Sequence, residues 1–178
     1  MFRWFVQFLY GSTPVRFSSP YSALESKARL SAVVKPSIFH SFLGQCAVGI
    51  VTEERVRVQR VIPFVGNSFK PFFYGSISAS ATGSVLEGVF KFSLFTRIFM
   101  TFWFGFIAIW TLLATAIVLT KSPSEFWFPL SGVGMFAAGL GGVGLGKWFA
   151  RNDIAWLTQI IVQALDAKGT ECDGQVVK

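Results

Sequence analysis

The chain has 178 residues, of which 52% are hydrophobic, 17% aromatic and only 14% charged, whereas an ordinary soluble domain carries roughly 25% charged residues. Its 16 Lys and Arg against 9 Asp and Glu leave a net charge of +7. Two widely separated cysteines, Cys46 and Cys172, and a single histidine, His40, exclude a disulfide framework and a His-rich metal site.

The N-terminus, MFRWFVQFLYGSTP, is apolar and aromatic, and it lacks the small-residue pattern of a signal-peptidase site. It reads as an interfacial or strand-like segment, because Trp and Tyr favour the membrane–water boundary. Gly11, Pro14, Ser18, Ser19 and Pro20 punctuate residues 11–27 as a loop. Residues 29–34 are expected to form a strand. After Pro36, the spacing of Ile38, Phe39, Phe42 and Leu43 predicts a short helix ended by Gly44, with His40 on its flank as a structural residue.

Residues 46–51 and 54–62 predict a hairpin that turns at Thr52, Glu53 and Glu54. Val56 and Val58 alternate with Arg55, Arg57 and Gln59, the period of a half-buried strand. Arg55, Arg57 and Arg60 are candidate contacts for a lipid headgroup, although Arg60 is out of phase with the other two. A second hairpin, 72–81 with 84–92, is expected around Thr82-Gly83, with Ala81 facing Ser84 and Phe73 facing Phe92. That register puts Phe73, Gly75, Ile77 and Ala79 beside Leu86, Gly88, Phe90 and Phe92 on an apolar face. Gly75 and Gly88 would there admit a neighbouring helix or a lipid chain close to the backbone.

Two uncharged runs follow, 98–120 and 126–146, separated by Lys121-Ser122-Pro123-Ser124-Glu125. Each meets the roughly 20 apolar residues that a helix needs to cross a bilayer, and the short break predicts antiparallel neighbours. Gly134, Ala138, Gly142 and Gly146 recur every four residues in the second run, a smooth stripe for close helix packing. The stripe is expected to pack on the aromatic first helix, with Trp110 also facing the partner helix; a homodimer seam is the alternative. Gly139, Gly141 and Gly144 match a dinucleotide fingerprint, but lie inside an apolar span without the βαβ context that motif requires. Beyond Arg151, Ile154, Leu157, Ile161 and Leu165 mark an amphipathic helix capped by Asn152 or Asp153, ended by Lys168-Gly169 and expected to cover the sheet. Residues 170–178 read as a flexible tail.

The run Asn67-Ser68-Phe69-Lys70-Pro71, then Tyr74-Gly75-Ser76-Ile77, then Leu86-Glu87-Gly88-Val89-Phe90 before an aromatic membrane helix resembles a group of uncharacterised small bacterial membrane proteins with a β-hairpin domain followed by a two-helix membrane hairpin. The resemblance spans roughly residues 45–110 and implies a bacterial origin and this layout, with no chemistry attached.

The expected architecture is an α+β membrane protein. It comprises an N-terminal interfacial segment and loop (1–27), a β-rich domain of about four or five strands (28–95), a transmembrane hairpin (96–147), an amphipathic helix packed on the β-domain (148–168) and a tail (169–178). Lys91, Arg97, Lys147 and Arg151 flank the hairpin's outer ends and only Lys121 lies in its connection. The positive-inside rule therefore puts both termini and the β-domain in the cytoplasm, at the inner membrane. The basic balance is assigned to these flanks and to membrane lipids, not to nucleic acid. No cofactor, metal or catalytic constellation is expected, and no ionisable side chain interrupts the apolar runs as a transport pathway would. The expected function is therefore non-enzymatic: a membrane-anchored interaction module or a small subunit of a membrane assembly. Its partner would be another membrane protein or a second copy. The alternative is a lipid-binding or lipid-sensing domain.

Overall fold

A computed structural model describes residues 6–7, 9–36, 44–52, 54–63, 68–120 and 126–167, together with the backbone of 170–172 and 175–176. His40, the helix expected around it, Glu53, Asn67 and the 121–125 connection lie outside the described residues. The elements are β1 (Thr13–Ser19), α1 (Ala23–Val33), β2 (Cys46–Val51), β3 (Val56–Val61), β4 (Pro71–Ser80), β5 (Gly83–Phe92), α2 (Leu94–Thr120), α3 (Trp127–Ala150), α4 (Asp153–Leu165), β6 (Thr170–Cys172) and β7 (Gln175–Val176). The fold class is α+β. All seven strands form one sheet, ordered β2-β3-β4-β5-β1-β6-β7, and each pairing is antiparallel.

Three expectations near the chain ends are corrected. Residues 13–19 are a strand, not a loop. Val15, Phe17 and Ser19 are buried while Arg16 and Ser18 are exposed, so the alternation is present beneath the Pro and Ser punctuation. Pro14 is tolerated because it lies near the strand's start, outside the stretch paired with β6. Residues 29–33 belong to a helix, not a strand, with Val34 as its extended C-cap. Ser22 caps α1 by accepting from the Glu25 N–H at 3.2 Å, the Ser-x-x-Glu signature of a helix start, and Glu25 pairs with Arg29 one turn on at 3.0 Å. Part of the expected tail forms β6 and β7, which extend the sheet beyond β1.

The hairpin of β2 and β3 forms as expected, closed by Thr52, whose hydroxyl donates to the Arg55 carbonyl and accepts from its N–H at 2.9 and 3.0 Å. In the β4–β5 hairpin Ser80 faces Gly83 and Phe73 faces Phe90, so the two-residue turn is Ala81-Thr82. The pairing differs from expectation by two positions. An even shift leaves every side chain on its expected face, because side-chain direction alternates with a period of two. Gly83, at φ 142°, abuts the backbone of Ser19 and Pro20, which leaves no room for a side chain there.

The core fills one face of the sheet. Val15, Phe17, Val56, Val58, Phe73, Ile77, Leu86 and Phe90 pack beneath Leu30 and Val34 of the α1 region and Leu157, Ile161 and Leu165 of α4. The amphipathic helix therefore covers the sheet, as its periodicity requires. A hydroxyl chain closes one end of this layer. Ser26 Oγ shares a hydrogen with Ser84 Oγ at 2.7 Å, and Ser19 Oγ donates to the Leu165 carbonyl at 2.7 Å, tying β1, α1, β5 and the last turn of α4 together. Asp166, in the left-handed conformation at φ 46°, ends α4.

Two described helices, α2 and α3, are long and apolar enough to cross a membrane. Thr111 meets Gly132, and Phe104 and Trp103 meet Gly139, so the contacts rise along α3 as they fall along α2 and the helices are antiparallel. Their sheet-proximal ends join the domain through Leu9, Tyr10, Phe69 and Phe92, packed with Met100, Phe104 and Val143.

Candidate functional site: the charged junction of sheet and hairpin

The charges of interest collect where β3, β5, α3 and α4 converge. Alternation along β3 puts Arg60 on the face that carries Val56 and Val58, the face that α4 covers. A guanidinium there needs a carboxylate, and the first turn of α4 supplies Asp153. Arg60 Nη1 donates to Asp153 Oδ1 at 3.1 Å and Nη2 to Gln45 Oε1 at 2.6 Å, and the guanidinium lies 5.1 Å from the centre of the Trp156 ring. Asp153 is buried, as is Lys70 nearby. Burial raises the Asp153 carboxyl above its ordinary value despite the opposing pull of Arg60 and Lys70. Burial likewise lowers the Lys70 amine, with Asp153 opposing and Arg60 reinforcing that shift. The position of Asp153 at a helix N-terminus also favours its anion. Of the two residues expected as the cap, Asn152 holds the capping position, without a side-chain hydrogen bond, and Asp153 serves as an ion-pair partner.

Beside this pair lies a cavity of about 350 Å³. Its lining includes Lys91 at the end of β5, Lys147 in the last turn of α3 and Arg151 in the α3–α4 turn. Its walls include Phe69, Phe90, Phe92 and Ile154, with Ser12 and Thr13 at the start of β1. Each cation also stands near an aromatic ring: Lys91 by Tyr74 at 4.9 Å, Lys147 by Phe92 at 5.5 Å and Arg151 by Trp148 at 5.2 Å. No carboxylate lines the cavity among the described residues.

The structure separates the three arginines singled out from sequence. Arg55 is exposed in the β2–β3 turn, Arg57 lies over Phe72 and Tyr74 on the sheet's uncovered face, and Arg60 is held against α4 on the covered one. They do not form one basic patch. The space expected beside Gly75 and Gly88 is taken within the chain. These glycines pair directly, and a Cβ at either would meet the Phe73 ring at 2.8 or 2.6 Å.

The glycine stripe divides as well. Gly146 is buried against Phe69, whereas Gly134, Ala138 and Gly142 are exposed, and a Cβ on Gly134 or Gly142 would meet nothing within 4 Å. The expected packing of this stripe on the first helix is therefore corrected. The seam with α2 uses Gly132 and Gly139, where a Cβ on Gly139 would lie 2.8 Å from Trp103 Nε1 and 3.2 Å from the Phe104 ring. Large side chains on α2 select which glycines it meets, and the spacing of four in α3 carries no information about them. Trp110 is half exposed and lines an apolar cavity of about 340 Å³ with Leu113, Ile117 and, from α3, Phe128.

Sequence reasoning missed the Arg60–Asp153 pair. The out-of-phase position of Arg60 was the available signal, since a charge on the covered face of a strand calls for a partner. Comparison of the chain with protein-family models, curated proteins and solved structures gives no match.

Proposed function

We propose that the protein is a multi-pass membrane protein whose α2–α3 hairpin crosses the inner membrane and holds the α+β domain at its cytoplasmic face, where it serves as a non-enzymatic interaction module or small subunit of a membrane assembly. The observation that carries this reading is the surface of the hairpin. Only 17% of the most apolar window of α2, and 11% of that in the stretch beginning with α3, is buried within the chain. Phe102, Leu112, Leu119 and Val133 are among the large side chains left exposed. In water such a surface far exceeds the apolar patch a soluble monomer tolerates, whereas lipid or a partner helix accommodates it.

Polar groups within the hairpin fit the same environment. The hydroxyls of Thr111 and Thr115 donate to the carbonyls of Ile107 and Thr111 at 2.8 and 2.7 Å, and that of Ser131 to Phe128 at 2.6 Å, so each is satisfied inside its own helix. The ends of α2 and α3 nearest the sheet carry Arg97 and Lys147, with Arg151 just beyond, and this basic flank supports the cytoplasmic reading.

Gly134, Ala138 and Gly142 supply the smooth face on which a second helix would pack. The test is Gly142→Leu in protein expressed in a bacterial membrane. The protein should stay in the membrane through alkaline extraction, and the variant should lose its partner or its oligomer on native gels. A wild-type chain released by alkaline extraction would overturn the anchor. An unchanged complex in the variant would overturn the glycine seam.

A further inference from the structure

We propose that the end of the sheet's uncovered face nearest α2 is a docking surface for the anionic phospholipid headgroups of the bilayer, with Arg57 and Lys91 as the phosphate contacts; this rests on the membrane placement of the hairpin. Two cross-strand rows build the surface, Arg57–Tyr74–Val89 and Gln59–Phe72–Lys91. The helices α1 and α4 both pack on the opposite face. The Arg57 guanidinium lies 4.8 Å from the centre of the Phe72 ring and 5.6 Å from that of Tyr74, and the Lys91 ammonium lies 4.9 Å from the Tyr74 centre. Two cations thus share one aromatic pair. A ring face holds a cation in place without supplying a counter-charge, and it leaves N–H donors for charge-assisted bonds to phosphate. No carboxylate stands in either row. Glu87 lies in the next row, where it pairs with Arg16 at 3.2 Å. Beyond Tyr74 the same face of β4 presents Ser76, Ser78 and Ser80. The face therefore grades from aromatic and basic near α2 to hydroxyl-rich at its far end.

Position selects a lipid as the occupant. Ser93 alone separates β5 from α2, and its hydroxyl accepts from the Thr96 N–H at 3.1 Å. Thr96 Oγ1 donates to the Ser68 carbonyl, shortly before β4, at 2.7 Å. The strands that carry Phe72, Tyr74 and Lys91 are therefore tied to the first turn of α2. In that turn Leu94 and Phe95 are 68% and 76% exposed, which suits the interfacial layer of a bilayer and not water. Lys91 precedes Leu94 by three residues, at most about 11 Å of extended chain, so its ammonium stands at the level of the headgroups. Basic and aromatic side chains are favoured at that level. A soluble partner gains nothing from a gradient that rises toward the hairpin.

The test uses the full chain in nanodiscs of phosphatidylglycerol and phosphatidylcholine in equal parts, with identical acyl chains. After Cys46→Ser and Cys172→Ser, a benzophenone maleimide is placed at Gln59→Cys, in the row nearest α2, or at Ser80→Cys, at the far end of the face. Lipids captured on illumination are counted by mass spectrometry. Gln59→Cys should capture phosphatidylglycerol in preference to phosphatidylcholine, and Ser80→Cys should capture little of either. Adding Arg57→Gln and Lys91→Gln should lower that preference at least about fivefold, the factor for one cation at an anionic surface. The charge-conserving pair Arg57→Lys, Lys91→Arg should keep most of it, which separates charge loss from misfolding. Arg29→Gln, on α1 at the covered side, should leave it unchanged. Equal capture of the two lipids, or an undiminished preference in the double Gln variant, would overturn the proposal. So would a face that captures no lipid but retains polyglutamate, since its partner is then an acidic protein segment. In each of these cases the chain remains in the nanodisc and the hairpin reading stands. A chain that elutes apart from the nanodiscs would remove that reading and this inference with it.

Discussion

Arg60 and Asp153 are 93 residues apart in sequence, yet Nη1 and Oδ1 meet at 3.1 Å beneath α4. The pair fixes the first turn of α4 to β3, at the point where the chain returns from the apolar hairpin to the sheet. Together with the hydroxyl bonds at the other end of α4, it is a polar tie in a largely apolar helix–sheet layer.

Removing one partner leaves the other charge buried. Asp153→Ala should destabilise the protein by about 3 kcal/mol, the loss typical of a broken buried pair. The double variant Arg60→Met, Asp153→Leu should recover most of that loss, because it removes both desolvation costs. Thermal denaturation in detergent, followed by circular dichroism, checks both. A double variant no better than Asp153→Ala would show that the pair is needed for more than charge balance.

The same carboxyl makes stability depend on pH. Burial holds folded Asp153 above its ordinary value of 3.8, so folding takes up a proton in the window just above that value. Its contribution is fully present below the unfolded value and is lost as pH rises through the raised folded one. The midpoint of wild type minus that of Asp153→Asn should therefore fall as pH rises from the unfolded value through the raised folded one. A difference that grows with pH over this window would mean that Arg60 outweighs burial and depresses the carboxyl instead.

The two glycine positions of α3 should respond in opposite ways. Gly139→Val forces a side chain against Trp103 and Phe104, and should cost about 1–3 kcal/mol through overpacking. Gly142→Val meets open space within the chain and should leave the monomer's thermal midpoint nearly unchanged, apart from the small effect of helix propensity. Parallel melting curves of the two variants decide the matter. Equal losses would place α2 against the other face of α3.

Phe73 fills the space over the Gly75–Gly88 pair and is fully buried. Phe73→Ala should cost about 3–5 kcal/mol, the usual cost of deleting a core aromatic. A cost below about 1 kcal/mol would return that space to an external lipid or helix, as the sequence pattern had suggested.

Those residues also show what a sequence makes legible. The faces of β4 and β5 follow from alternation and survive a two-position error in pairing. The two apolar helices and the sheet-covering helix α4 follow from length and periodicity. β1 was hidden because Pro14, Ser18 and Ser19 read as turn residues, although Ser19 is buried to hold the end of α4. α1 carries a weak apolar stripe, and only its Ser22–Glu25 cap announces it. The candidate site was the least legible part. Arg60 and Asp153 come from distant stretches, and no local spacing records that the fold unites them. The glycine repeat illustrates the converse, since a regular spacing identified a smooth face without identifying what packs on it.

The central claim is that the hairpin crosses the bilayer and returns its two ends to the side of the domain. Accessibility of single cysteines, introduced after Cys46→Ser and Cys172→Ser, tests it most directly in sealed vesicles of known orientation. With a membrane-impermeant maleimide, Leu24→Cys on the exposed side of α1 and Ser124→Cys in the helix connection should react from opposite sides, and Leu112→Cys from neither. Labelling of Leu24→Cys and Ser124→Cys from the same side, or ready labelling of Leu112→Cys, would contradict the membrane hairpin.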